Sequence, residues 1–257
     1  MFDLKVKMPE IETNFSIILT NQAADKLADF TTTFYPPIQL SDSFVYSVGV
    51  NKIVFPATFC NVTKGSVQYY SYTENKVLEK SWETGYYGSE EKFIQKFNSI
   101  LGPDKAFYVI AKDDQRPGHI KIKTNVKEGQ LPLLKLSEDL GLLSGLTESP
   151  LTTIESQPFN PHFNSECILV KCNIAEHCHL NNHRAPIIEV IPNLNCSKTQ
   201  LNKLVEYTPF NIKYSNVSQH EIDSIQLSLT SITGETLQFE SDNRVICMLS
   251  VQCSALP

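Results

Sequence analysis

The apolar residues of this chain fall mostly into short runs with a period of two, divided by turn residues. That is the pattern of antiparallel strands with one buried face. Residues 15–19 form a brief apolar run. Residues 44–50 alternate, with Phe44, Tyr46 and Val48 on one side and Val45 and Val50 interrupting, and residues 67–72 are aromatic and β-branched. Residues 107–111 and 120–124 flank Asp113-Asp114-Gln115-Arg116-Pro117-Gly118, whose composition predicts a hairpin turn. Further strands are predicted over 167–172, 187–191, 222–229, 236–239 and 245–251. Ile225, Leu227 and Leu229 keep the two-residue period, and Gly234 marks a turn into 236–239.

Two stretches switch to helical spacing. Ser89 is placed to cap a helix whose first turn holds Glu90 and Glu91, where carboxylates favour the helix dipole. Phe93, Phe97, Ile100 and Leu101 then share a face and Gly102-Pro103 ends the run, so a short helix is predicted near 89–101. Ser137 heads a second, shorter candidate over 138–143, with Leu140 and Leu143 on one side, and residues 23–30 are helical by propensity. The stretch 147–164 is rich in Pro, Ser, Thr and Asn and reads as a connector.

Many short strands with two small helices predict a mainly β fold, an antiparallel jelly-roll sandwich with an inserted small α+β or β subdomain. The expected division is a split jelly-roll domain over 1–66 and 160–257 and an insertion domain over 67–159. The chain has 257 residues, long enough to bury a core without staples.

A net charge of −6 argues against a dedicated nucleic-acid binder, which needs a basic stripe to displace phosphate counterions. Lys5 with Lys7, and Lys121 with Lys123, are the nearest approach to one, and each pair reads as a solvated strand face. The first residues, MFDLKVKMPEIETNF, lack the apolar core and cleavage site of a signal peptide. No apolar run approaches the roughly 18 residues that span a bilayer. The sequons at Asn14, Asn61, Asn195 and Asn216 therefore read as chance matches. Seven cysteines, an odd number, fit reduced thiols used as small apolar residues; Cys247 and Cys253 share a strand face with Val245, Leu249 and Val251.

The densest chemistry lies at Cys172, His177, Cys178, His179 and His183. Thiolate and imidazole together are a zinc-ligand set. Adjacent His177, Cys178 and His179 cannot all aim at one ion, however, and no CxxC pair accompanies them. The cluster reads as a turn between two strands with exposed histidines. No nucleophile context, P-loop or GxGxxG is present. No catalytic residue, metal ligand or cofactor is therefore expected, and the chain reads as a non-enzyme. Tyr69, Tyr70, Tyr72, Trp82, Tyr86 and Tyr87 offer either a stacking platform for bases or sugars or strand-face packing, and packing is favoured.

Two distant segments carry a family resemblance. The first, residues 30–62, reads FTTTFYPPIQLSDSFVYSVGVNKIVFPATFCNV; it sets Phe30-Thr31, Phe34, Pro37-Ile38, Leu40, Val48-Gly49-Val50, Phe55-Pro56, Phe59 and Asn61-Val62 in the order F-t-x-x-L-x-x-P-I-x-L, V-G-L, hydrophobic-Pro, aromatic, N-V. Gly85-Tyr86-Tyr87 before a short helix, Leu136-Ser137 with Leu140 and Leu143, the run 168–174, and Pro186-Ile187-Ile188 with Ile191-Pro192 continue the pattern. The second segment closes it through Pro209, Ile222, Ile225, Leu227, Leu229, Gly234, Leu237, Phe239 and the strand 245–251. Spanning nearly the whole chain, this pattern resembles the penton (minor capsid) proteins of virophages, Maverick/Polinton elements and adintovirus-like relatives. Phe44 stands where that family usually has Trp, and 176–182 replace its usual Asp and Gly.

The resemblance implies a single jelly roll with an added domain, assembled as a homopentamer at icosahedral vertices beside a double-jelly-roll major capsid protein. It implies a place at the capsid vertex of a virion assembled inside the host cell, with a host receptor as a further partner for the insertion domain. Residues 1–12 read either as an arm reaching a neighbour or as a frayed tail. Two other readings stand beside it. One is a capsid cement or receptor-binding virion protein; the other is a non-viral β-sandwich binding module or hydrolase.

Overall fold

A computed structural model describes residues 13–21, 28–57, 59–62, 64–125, 133–146, 157–160, 167–180, 183–192, 204–239 and 244–255. The chain separates into two compact units, one formed by 1–58 with 166–257 and the other by 59–165.

The first unit opens with β1 (Phe15–Thr20), β2 (Asp29–Gln39) and β3 (Phe44–Pro56). The second contains β4 (Gly65–Ser71), β5 (Lys76–Trp82), α1 (Glu90–Leu101), β6 (Tyr108–Lys112), β7 (Ile120–Thr124), β8 (Leu134–Leu136) and α2 (Glu138–Ser144). The chain then returns to the first unit with β9 (Cys167–Cys172), β10 (Cys178–Leu180), β11 (His183–Ala185) and β12 (Ile187–Pro192). It ends there with β13 (Leu204–Tyr207), β14 (Ser215–Asn216), β15 (Glu221–Thr230) and β16 (Ile246–Ala255).

The first unit is an antiparallel sandwich. One sheet runs β1-β16-β3-β13, with β14 also on β3; the other runs β2-β15-β9-β12. Leaving aside the small β10–β11 hairpin and β14, the strands in chain order place first, eighth, third and sixth in one sheet and second, seventh, fourth and fifth in the other. This interleaving is the jelly roll. Its core is built from the inward faces: Ile17 and Leu19 of β1, Tyr46, Val48, Val50, Ile53 and Phe55 of β3, and Cys247, Leu249 and Val251 of β16 meet Val170, Ile191, Ile225, Leu227 and Leu229 of the opposite sheet.

Three register shifts interrupt the described ladders of this unit: one at Ile188 of β12 against β9, and two that reset the buried faces of β3 and β15. Met248 pairs with Lys52 and Leu249 with Val50, so Asn51 is the extra residue, and the inward face of β3 passes from even positions (Tyr46, Val48, Val50) to odd ones (Ile53, Phe55). Val50 therefore continues the buried face instead of interrupting it, while Val45 is the outward residue. In β15, Ile222 pairs with Ile38 and Ser224 with Thr33. The buried positions shift from Ile222 to Ile225, Leu227 and Leu229, and residues 34–37 of β2 swing out of the ladder. Pro36 and Pro37 in that excursion have no N–H to donate to a ladder.

Three sequence expectations are corrected. Residues 29 and 30 open strand β2 instead of closing a helix, because Asp29 and Phe30 pair with Ser228 and Leu227; residues 22–27 lie outside the described residues. After the turn at Gly234, residues 236–239 make isolated bridges, Thr236 to Thr230 and others at Gln238 and Phe239, instead of a continuous strand. The division between units falls at 58 and 166, not at 66 and 160: Val62 pairs with Gly85, β4 already begins at Gly65, and the Asn160 N–H donates to the Leu143 carbonyl.

The second unit is α+β: a sheet β5-β4-β8, the β6–β7 hairpin and two helices around an aromatic core. Ser89 caps α1 by accepting from the Lys92 N–H, and Phe93, Phe97 and Leu101 line its buried face. Ser137 heads α2 but turns its hydroxyl to accept from the Ser66 N–H; Gly145, at φ 75°, ends the helix in a left-handed turn. Lys112 of β6 pairs with Glu90 and Glu91 of α1, and Lys121 with Asp113 and Asp114 of the hairpin turn. Of residues 147–164, only 157–160 are described, without regular structure.

Candidate functional site

The His- and Cys-rich segment forms the β10–β11 hairpin between β9 and β12, in which Cys178 pairs with Ala185 and His179 with Arg184. His177, Cys178 and His179 are exposed, whereas Cys172 at the end of β9 is fully buried. The Arg184 Nε donates to His179 Nε2 at 3.3 Å, and the Cys178 thiol donates to the Ala185 carbonyl at 3.4 Å. The side chain of His183 lies outside the described residues. Cys172 and Cys178 therefore face different surroundings, and among the described residues no three His, Cys, Asp or Glu converge as a metal site would require.

Cys60, Cys172 and Cys247 are core thiols, whereas Cys167 and Cys253 are half-buried. Burial pushes Cys172 up to about 11, and burial followed by the neighbouring Cys172 drives Cys247 higher still. Both stay protonated and unreactive at neutral pH. Asn61 is buried, its amide donating to the Tyr87 carbonyl at 3.2 Å and its oxygen accepting from the Tyr87 N–H at 2.9 Å, so this sequon serves the fold. Asn195 lies outside the described residues, as do Cys196, Lys5 and Lys7.

The aromatic residues pack. Trp82 stacks on Phe93 with centroids 4.9 Å apart and meets Tyr87 and Phe97 edge-on at 5.5 and 5.8 Å. Tyr72 lies 4.8 Å from Phe107, and Tyr69 and Tyr108 meet edge-on at 6.0 Å. Tyr108 donates to the Tyr70 carbonyl at 2.8 Å, and burial raises its pKa strongly. No open ring face of Trp82, Tyr69 or Tyr87 is left for a base or sugar. Lys121 and Lys123 alternate with buried Ile120 and Ile122 on β7, a solvated strand face as expected.

The surface of the first unit carries what the sequence reading missed. Tyr35, in the excursion of β2, is 99% exposed, and Phe210, in the loop between β13 and β14, is 100% exposed. The Phe210 loop crosses β3 at Gly49, where there is room for no side chain: the Lys213 carbonyl oxygen lies 2.5 Å from where a Cβ would stand. In both places an aromatic residue stands beside proline, Tyr35-Pro36-Pro37 and Pro209-Phe210, but so it does in Phe55-Pro56, which stays paired within β3, so this feature alone does not mark them. A groove lined by Thr20, Asn21, Asp29, Phe30, Thr31, Thr32 and Gln226 runs beside β2, and its lining offers no nucleophile–base pair.

Neither a family model nor a curated protein matches the sequence. Among solved structures, the selenomethionine-labelled crystal structure of the mavirus penton protein superposes over 95% of this chain and 100% of its own, with a TM-score of 0.50 at 10% identity. This chain has a penton-like fold. The cryo-EM structure of the Sputnik virophage aligns over 93% of this chain and 98% of its own, with a TM-score of 0.46 at 10% identity.

Proposed function

We propose that this chain is a structural virion protein: a penton subunit that forms homopentamers at icosahedral vertices and contacts a double-jelly-roll major capsid protein. The observation that carries the proposal is the coverage of the fold match. The mavirus penton protein is matched over its whole length, so the likeness takes in both the jelly roll and the inserted unit. The motifs across 30–62 and 207–251 support the same reading from sequence. In this reading the chain works by presenting surfaces, has no catalytic role, and is located in the capsid, with the unit 59–165 available to a host receptor. Among the described residues no helix is long and apolar enough to cross a membrane.

Native mass spectrometry of the purified chain across concentration and salt tests it. A five-copy species is the expected result. A species that stays monomeric or trimeric at every concentration counts against the vertex assignment, and a trimer would favour a cement or receptor-binding role.

A further inference from the structure

The two flanks of the jelly roll are unlike. On one, β1 and β2 lie together: they are neighbours across the two sheets, and residues of both line the groove that runs from Thr20 to Gln226. On the other, β12 packs near β3, and Glu189 of β12 sits close enough to Tyr207 of β13 to raise its pKa further, beyond the larger effect of burial. Strands β13 and β14 and the loop between them, with Phe210, belong to this second flank. So does the β10–β11 hairpin, because Ala175 bridges to Val217 and the Glu176 N–H donates to the Asn216 carbonyl.

Each flank bears one fully exposed aromatic ring, Tyr35 on the first and Phe210 on the second. The loop around Phe210 is anchored, since its backbone at Lys213 rests directly on Gly49. An aromatic side chain held out by a fixed backbone loses little conformational freedom on docking, which is what makes such residues strong anchors. The charges also differ between the flanks. Asp29, Asp42, Glu221 and Asp223 are exposed around the Tyr35 flank, and neither Glu221 nor Asp223 has an ion-pair partner among the described residues. On the Phe210 flank the charges are mixed: Glu206 of β13 pairs with Lys52 and Glu176 accepts from the Asn216 amide, while Arg184 is exposed on the adjoining hairpin and Lys213, beside Phe210, is exposed without an ion pair among the described residues.

We propose that these flanks are the two halves of one head-to-tail contact between copies of this chain. The Phe210 loop of one copy docks on the β1/β2 flank of the next, beside Tyr35, with Lys213 facing the acidic groups there. The inference rests on the shell-subunit reading and deepens it. Pairing the acidic Tyr35 flank with itself would set acid against acid, which disfavours a two-fold contact there. A contact between unlike surfaces instead propagates, and closes into a ring when its rotation divides the circle.

The test uses native mass spectrometry on wild type, Phe210→Ala and Tyr35→Ala, with circular dichroism and thermal unfolding as controls for folding. Both side chains are exposed, so folding is expected to be unchanged. Each variant is expected to raise the concentration needed for rings by about 30-fold or more. An equimolar mixture of the two variants is expected to give a heterodimer that does not grow, because it holds one intact contact and two blocked ends. Lys213→Glu is expected to weaken assembly most at low salt. If wild type forms rings and the variants do so equally well, the contact is overturned and the shell reading stands. A wild type that stays monomeric throughout overturns both. A symmetric wild-type dimer, with no heterodimer in the mixture, overturns the head-to-tail arrangement.

Discussion

Gly49 lies directly beneath Lys213: a methyl group on Gly49 would stand 2.5 Å from the Lys213 carbonyl oxygen and 2.6 Å from the Ile212 Cγ2. The nearest obstacle is backbone and cannot rotate away. Gly49→Ala is expected to cost about 1–3 kcal/mol, as overpacking in a fitted site does. At ~2–4 °C per kcal/mol for a chain of this size, the loss is visible in a thermal melt. Limited proteolysis should also show faster cutting in the 208–214 loop. A variant with wild-type melting and wild-type cleavage would show that the loop does not depend on this close approach.

Trp82 is the sole tryptophan of the chain and is buried among Phe93, Phe97 and Tyr87 in the second unit. Its fluorescence therefore reports on the unit 59–165. Phe93→Ala removes the ring stacked on it and is expected to lower that unit's stability by ~3–5 kcal/mol, the usual range for a large aromatic lost from a core. Urea titration followed by Trp emission checks this, and an unchanged midpoint would place Phe93 outside the core.

Asp104 is buried, and burial acting alone would raise its pKa. Hydrogen bonds from Ser71, from the Thr73 N–H and hydroxyl, and from the Tyr72 backbone outweigh that and hold it below its ordinary 3.8. A carboxylate with a depressed folded pKa gives stability that is complete above the ordinary value and is lost as pH falls through the folded one. Asp104→Asn should therefore destabilise the second unit at pH 7 by ~1–3 kcal/mol, as charged hydrogen bonds do. The gap from wild type should narrow in acid, below the ordinary carboxylate range. Urea midpoints at several pH values decide the point; a gap that stays constant with pH would mean the charge plays no part.

Thiol labelling separates surface from core. At pH 8 an alkylating reagent should modify exposed Cys178 first. Cys172, raised to about 11, and Cys247, raised further, should react only on unfolding, since the thiolate is the reactive form. Peptide mapping after a short exposure measures this. Early modification of Cys247 would contradict the register of β16 against β3.

The strands were legible where period and face agree, as in Ile225, Leu227 and Leu229. They were harder to read where a bulge changes the phase. Asn51 and Asp223 each shift the buried face by one residue, and nothing in their side chains announces it. The helix at 90–101 was legible from its cap, its carboxylates and its Gly-Pro end, because those features act locally. The 29–30 strand start was not, because a partner nearly two hundred residues away decides it: Asp29 opposite Ser228. The exposed rings of Tyr35 and Phe210 were hidden for a related reason. A single aromatic carries no period, and its exposure depends on which edge the finished sandwich presents.

The chain leaves the jelly roll after its third strand and re-enters at its fourth, with the whole second unit lodged in that one connection. Lengthening a connection costs only slowly, with the logarithm of its length, and the eight-strand interleaving is complete without it. The insertion therefore sits where heredity has most licence. Mutations, exchanges and losses confined to it leave the framework's own strand pairing untouched, so this part of the molecule is free to diverge while the framework stays still.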